Sequence, residues 1–191
     1  MIQIENVNKL YPMGKGTVKA LHEINLHVHE GEFVVVRGPS GSGKSTLLLT
    51  MGGMLCPTQG MVTIGDRDFY SMNVKKRAAF RADNIGFVFQ MFHLVPYLNV
   101  LENVLLAAKD GISHDIRTRA VNLLERLRMA DRQVHTPAEL STGERQRTAI
   151  ARALLNQPKV ILADEPTGNL DPDNAAEVIG YLSEFHREGG T

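Results

Sequence analysis

Apolar and polar positions alternate over Ile2, Ile4 and Val7, in a stretch that ends near Pro12, and again over Ile24, Leu26 and Val28. A period of two marks a strand with one buried face, so both stretches are predicted to be half-exposed antiparallel strands. Phe33-Val34-Val35-Val36 breaks the alternation with an unbroken apolar run that stops at Gly38. Such a run predicts a strand covered on both faces, as in a parallel sheet. Val62 and Ile64 alternate with polar neighbours, while Gly86-Phe87-Val88-Phe89 and Val160-Ile161-Leu162-Ala163 read as further buried strands. Between these last two the period changes to that of a helix, with Ala120, Leu123, Leu124 and Leu127 at i, i+3, i+4, i+7 and Ala149, Ala153 and Leu154 in a similar stretch. A mainly helical insertion is therefore expected over residues 92–156. Val178, Leu182 and Phe185 predict a last amphipathic helix, and the chain carries no internal repeat, low-complexity tract or long linker.

A chain of 191 residues with 43% hydrophobic content can bury one substantial core, so a single domain is expected. Lys plus Arg equals Asp plus Glu at 21 each. That balance supplies no basic field to hold a nucleic-acid backbone, so no nucleic-acid partner is expected. The one cysteine, Cys56, excludes an intramolecular disulfide and is expected to be a buried thiol in a reducing compartment. No apolar run reaches the roughly 18 to 20 residues that cross a bilayer, and Gln3 and Glu5 do not fit a signal peptide. His27 and His29 make no metal-ligand spacing with Cys56 and are expected in solvent.

The first chemical signal is Gly38-Pro39-Ser40-Gly41-Ser42-Gly43-Lys44-Ser45-Thr46, which fits G-x-x-x-x-G-K-[ST] and precedes an apolar helical run from Leu47 to Met51. Glycines let successive backbone N–H groups curl around phosphates, and the helix N-terminus adds its positive end. In that arrangement Lys44 reaches the β and γ oxygens and Ser45 offers its hydroxyl to Mg²⁺. The motif by itself says only that nucleotide phosphates bind.

The second signal is Asp164-Glu165, two carboxylates at the C-terminal end of an apolar strand, where parallel-sheet enzymes place their ligands. Asp164 suits Mg²⁺, and Glu165 suits the orientation and deprotonation of an attacking water. Pro166-Thr167-Gly168-Asn169-Leu170-Asp171 follows as a turn-rich stretch, with Asp171 placed to begin the last helix.

Leu140-Ser141-Thr142-Gly143-Glu144, with the helix from Arg145 to Ala153, resembles the signature motif of ATP-binding-cassette (ABC) proteins. In chain order stand Tyr11, the phosphate loop, Gln90, the signature, Asp164-Glu165 and Asn169-Leu170-Asp171, a series similar to ABC nucleotide-binding domains over nearly the whole chain. Within them, Ile85 to Gln90 and Ala163 to Asp171 look most like the lipoprotein-release, macrolide-efflux and cell-division ATPases. The resemblance implies an α/β fold: a P-loop NTPase core with a mainly parallel sheet, an N-terminal antiparallel β-subdomain and an inserted α-helical subdomain. Residues 1–91 and 157–191 would form the core with its β-subdomain, and 92–156 the helical subdomain.

Carried residue by residue, the resemblance makes Tyr11 the adenine-stacking aromatic and residues Gly38 to Thr46 the phosphate site. Gln90 would approach Mg²⁺ and the attacking water, with Ser45 and Asp164 as the other Mg²⁺ ligands and Glu165 as the base. Ser141, Gly143 and Glu144 would face the ATP of a second copy in a head-to-tail dimer, and Asp171 would align that interface. Met91-Phe92-His93-Leu94-Val95-Pro96 would lie beside the groove for a separate integral membrane permease, although core packing explains the same apolar residues. ATP and Mg²⁺ are the implied cofactors, ATP hydrolysis the implied reaction, and the cytoplasmic face of the inner (plasma) membrane the implied location. A soluble ABC ATPase acting on a nucleic-acid or ribosomal partner is the competing reading. Thr142 and Glu144 depart from the family's usual glycine and glutamine, and Ser141 with Glu144 also fits the S-x-x-E capping box. The chain stops at Thr191, before the expected strand and switch histidine, and reads as C-terminally truncated; His186, inside the last helix, is no substitute.

Overall fold

The computed structural model describes residues 1–14 and 16–191. It divides into two compact units, Met1–Arg81 with Thr191, and Ala82–Gly190.

The first unit is built on strands β1 (Ile2–Met13), β2 (Gly16–Val28), β3 (Gln59–Ile64) and β4 (Arg67–Asp68) in the antiparallel order β2-β1-β3-β4. Register explains the core, since Ile2 faces Val28 on one side and Ile64 on the other, while Ile4 faces Leu26 and Val62. Side chains directly opposite one another share a face, so Ile2, Ile4, Val28, Val62 and Ile64 are buried together. Helix α1 (Lys44–Met51) follows the phosphate loop, and helix α2 (Val74–Asn84) follows the short strand β4. Phe69 is fully buried and meets the edge of Phe80.

Two expectations fail in this unit. Phe33 to Val36 belong to no strand among the described residues, and their side chains are 41–61% exposed. An apolar run meets the side-chain requirement of a buried strand, but a strand also needs a neighbouring backbone to bond with, and the run does not encode that. Cys56 is exposed rather than buried. It lies in the loop beyond α1, where its carbonyl accepts a 2.7 Å bond from the Lys9 ammonium.

In the second unit, β5 (Ile85–Phe89) and β6 (Val160–Asp164) pair in parallel with Ile85 opposite Val160 and Phe89 opposite Asp164. Helices α3 (Val100–Leu105), α4 (His114–Arg126) and α5 (Thr142–Leu154) come between them, and α6 (Pro172–Arg187) follows. Each starts on a side-chain cap: Asn99, Ser113, Ser141 and Asp171 accept from backbone N–H groups of the first turn. Val88, Val104, Leu124, Ile150, Leu155 and Val178 pack into one apolar cluster. Helix α5 lies close against β5, because a Cβ on Gly86 would stand 2.6 Å from the Ala153 carbonyl oxygen. Only glycine permits that approach. No helix among the described residues is long and apolar enough to cross a membrane.

Candidate nucleotide-binding and hydrolysis site

The first unit holds the phosphate loop. Gly43 caps α1 in the left-handed region at φ 95°, and a Cβ there would lie 2.3 Å from the Ala20 carbonyl oxygen. Both the conformation and the space demand glycine. Gly41 is also left-handed, at φ 78°, and the Ser42 N–H bonds the Pro39 carbonyl at 3.3 Å, so the loop turns tightly before the helix. The Lys44 ammonium bends back to the carbonyls of Gly38 and Pro39, 3.1 Å each. A cation and glycine-rich backbone at a helix N-terminus fit polyphosphate. Ser45 is exposed at the same helix start. Tyr11, on β1, is 38% exposed and carries the Lys9 ammonium 5.2 Å from its ring centroid.

The second unit holds Gln90, Ser141, Gly143, Glu144, Asp164, Glu165 and Asp171. Because Phe89 pairs with Asp164, the next residue on each strand, Gln90 and Glu165, leaves the sheet at the same level. Gly168 then lies beside both side chains: a Cβ on it would be 3.1 Å from Gln90 Nε2 and 3.5 Å from Glu165 Oε2. The Asn169 side-chain amide adds a 3.3 Å bond to the Gln90 carbonyl. Glu165 itself has φ 45°. A non-glycine residue there costs about 1–3 kcal/mol, the kind of strain that collects at functional sites. Asp164, at the end of β6, is half-buried, and Glu165 is exposed.

The start of α5 has the capping box that the S-x-x-E spacing predicts. Ser141 Oγ accepts from the Glu144 N–H at 3.2 Å, and Glu144 Oε2 accepts from the Ser141 N–H at 2.8 Å. The other carboxylate oxygen takes a 2.8 Å bond from Arg132 Nε. The Arg132 guanidinium first, then the Ser141 donors, hold the Glu144 carboxyl down at about 2, against an opposing effect of burial. Gly143 lies against α6, where a Cβ would fall 2.1 Å from Asn174 Oδ1. Asn174 in turn donates to Asp171 Oδ2 at 2.6 Å and accepts from Arg147 at 3.0 Å. Gly143 and Asp171 are thus brought together on one side chain, and the Asn174 bonds keep the Asp171 carboxyl below its ordinary range.

Sequence reasoning missed Arg132 and Asn174. Arg132 lies 12 residues before Glu144 and carries no local periodic signal. Asn174 shows only as a polar residue in the first turn of α6.

A glycine-rich phosphate loop that opens a helix, a glutamine and a strand-end acid beside one glycine, and a capped signature helix define a nucleotide-hydrolysing cassette. The ABC transporter family matches residues 21–168, and the chain belongs to that family as an ATP-binding, ATP-hydrolysing domain. It is 47% identical over 193 aligned residues to an uncharacterized ABC transporter ATP-binding protein, YknY, of Bacillus subtilis, covering 100% of this chain and 84% of that protein. The lipoprotein-releasing system ATP-binding protein LolD of Shewanella denitrificans is 43% identical, with 100% of this chain and 83% of that protein covered. The solved dimer of the ATP-binding cassette MJ0796 bound to ADP and phosphate superposes with a TM-score of 0.93 at 41% identity, over 100% of this chain and 84% of that one.

Proposed function

We propose that this chain binds Mg-ATP, pairs head to tail with a second copy, and hydrolyses ATP to drive a separate membrane permease. The work would be export or lipoprotein release, as the names of its relatives suggest, or mechanical transmission across the membrane. The observation that carries this reading is the placement of Gln90 and Glu165 about Gly168. A carboxylate and an amide beside the same glycine could both bond one water, the carboxylate taking its proton as the oxygen attacks the γ-phosphorus and the bond from that phosphorus to the ADP oxygen breaks.

Tyr11 would stack on adenine, and Gly38 to Thr46 would wrap the phosphates, with Lys44 moving from its loop carbonyls onto the β and γ oxygens. Ser45, Gln90 and Asp164 offer hydroxyl, amide and carboxylate oxygens, a donor set suited to Mg²⁺, and the Phe89–Asp164 register brings two of these three to one strand end. Those residues would hold Mg²⁺, whose charge would offset the negative charge developing on the transferred phosphoryl group. Ser141 and Gly143 would complete the partner copy's site, with Asp171 aligning the interface. Glu144 is already occupied by Ser141 and Arg132, which favours a capping role over direct contact with phosphate.

The loop after Gln90 supports a permease contact near Met91 to Pro96, since Met91 is 68% exposed and Phe92 and His93 take left-handed backbone at φ 57° and 49°. The protein would then work at the cytoplasmic face of the inner membrane. The test is Mg-ATP titration with sedimentation of the wild type and of Lys44→Ala. ATP-dependent dimerisation lost in the variant agrees with the reading, and ATP-independent behaviour of both would refute it.

A further inference from the structure

Helix α5 reaches out to several other segments of the second unit. Arg145 Nε donates to the Pro137 carbonyl at 2.8 Å, Arg147 bonds Asn174 and Glu177, Gln146 Nε2 donates to the Pro166 carbonyl at 2.8 Å, and Arg152 donates to the carbonyls of Phe92 and His93 at 2.5 and 2.6 Å. Two of these anchors land on the loops that carry the water-handling pair. Pro166 directly follows Glu165, and Phe92 and His93 follow Gln90 by two and three residues.

Neither anchor is explained by packing alone. Gln146 is 0% exposed, yet its Oε1 is buried without a hydrogen-bond partner among the described residues. An apolar side chain of similar size would avoid that desolvation cost. What the amide supplies instead is the Nε2 bond to Pro166, immediately beyond the left-handed Glu165. Arg152 sits beneath two consecutive left-handed residues whose own turn bonds are few, Phe92 N–H to Phe89 and His93 N–H to Met91. A forked guanidinium can hold two such carbonyls at once, where a single ammonium cannot match the geometry. Gly86 lets the same helix press against β5, so the anchors start from a rigid base.

We propose that Gln146 and Arg152 are positioning residues for hydrolysis: through them α5, whose N-terminus presents Ser141 and Gly143, holds the turn after Glu165 and the loop after Gln90 in one frame. This rests on the assignment of Glu165 and Gln90 above. A displacement of α5 at its signature end would move both water-handling side chains together, and a push on the loop after Gln90 would reach the signature end by the same route.

The experiment uses Gln146→Leu, Gln146→Asn, Arg152→Met and Arg152→Lys in the full chain, measuring Mg-ATP affinity, kcat and residue-resolved amide hydrogen exchange. Gln146→Leu and Arg152→Met are expected to lower kcat by about 10- to 100-fold, as misplacement by about an ångström does, with affinity held within about twofold. Exchange should rise over residues 165–170 for Gln146→Leu and over 91–95 for Arg152→Met. Arg152→Lys should recover part of the loss. Gln146→Asn, whose shortened amide falls out of reach, should behave like Gln146→Leu and serves if the leucine variant does not fold. Unchanged kcat, or exchange that rises evenly across the second unit, overturns the proposal. If Glu165→Gln itself turns over normally, the assignment of the base has failed. If Glu165→Gln is inactive while the Gln146 and Arg152 variants are normal, only the positioning proposal has failed.

Discussion

Gln90 and Glu165 each stand one residue beyond a paired strand position, Phe89 opposite Asp164, and both side chains close on Gly168. The parallel register sets their level. Residues 75 apart in sequence are thereby held at one level by a few backbone hydrogen bonds, with a glycine close to both.

Gly168→Ala is predicted to separate hydrolysis from folding. The new methyl would lie 3.1 Å from Gln90 Nε2 and 3.4 Å from the Glu165 carbonyl oxygen, tight enough to displace the amide by a few tenths of an ångström. Gly168 is exposed, so no core is disturbed. Turnover should fall about tenfold or more while thermal stability stays close to wild type, as phosphate release and calorimetry on one preparation will show. A normal rate would mean that Gln90 and Glu165 do not act as a pair.

Gly43→Ala should instead weaken nucleotide binding. Its left-handed backbone and the 2.3 Å approach to the Ala20 carbonyl oxygen leave no room for a side chain, so the phosphate loop must deform. Titration calorimetry should show affinity lowered by at least about tenfold, since the loop's N–H groups act only as a set. Retained affinity would show that the loop tolerates another shape.

Glu144 should behave as a structural cap. Glu144→Gln keeps a side chain that can reach the Ser141 N–H but loses the charge facing Arg132, and the expected cost is about 1 kcal/mol or less. ATP-driven dimerisation should be unchanged or slightly improved. A tenfold loss of dimerisation would show that the carboxylate itself is needed. The pH dependence has a definite sign. The folded carboxyl, held at about 2, ionises below its ordinary 4.5, so its contribution is complete above about 4.5 and is lost as pH falls toward about 2. Denaturation midpoints of wild type and Glu144→Gln should therefore converge over that interval, and a gap that stays constant from pH 6 to 2 would rule the pairing out.

The local elements of the candidate site were legible in sequence because each is set by neighbouring residues. The phosphate loop, Asp164-Glu165 and the Ser141–Glu144 spacing each lie within a few residues, and α1, β6 and the capped start of α5 appear where they were expected. Asp171 caps α6 as its position suggested. Pairing was not legible. Phe33 to Val36 have a buried strand's side chains, and among the described residues they join no sheet, since side-chain character does not by itself specify a ladder. The links Arg132–Glu144, Gln146–Pro166 and Arg152–Phe92 stayed hidden for a related reason, since single polar residues on a helix say nothing of which distant carbonyl or carboxylate they will meet.

Glu165→Gln tests the central claim most directly. In a chain where Glu165 takes the proton from the attacking water, the amide keeps the shape but cannot act as the base. Mg-ATP binding should then persist while steady-state phosphate release falls by about 10² to 10⁴. ATP-bound dimer should accumulate in sedimentation, because the step that would part the two copies is blocked. Near-normal phosphate release from the variant, with no trapped dimer, would contradict the account.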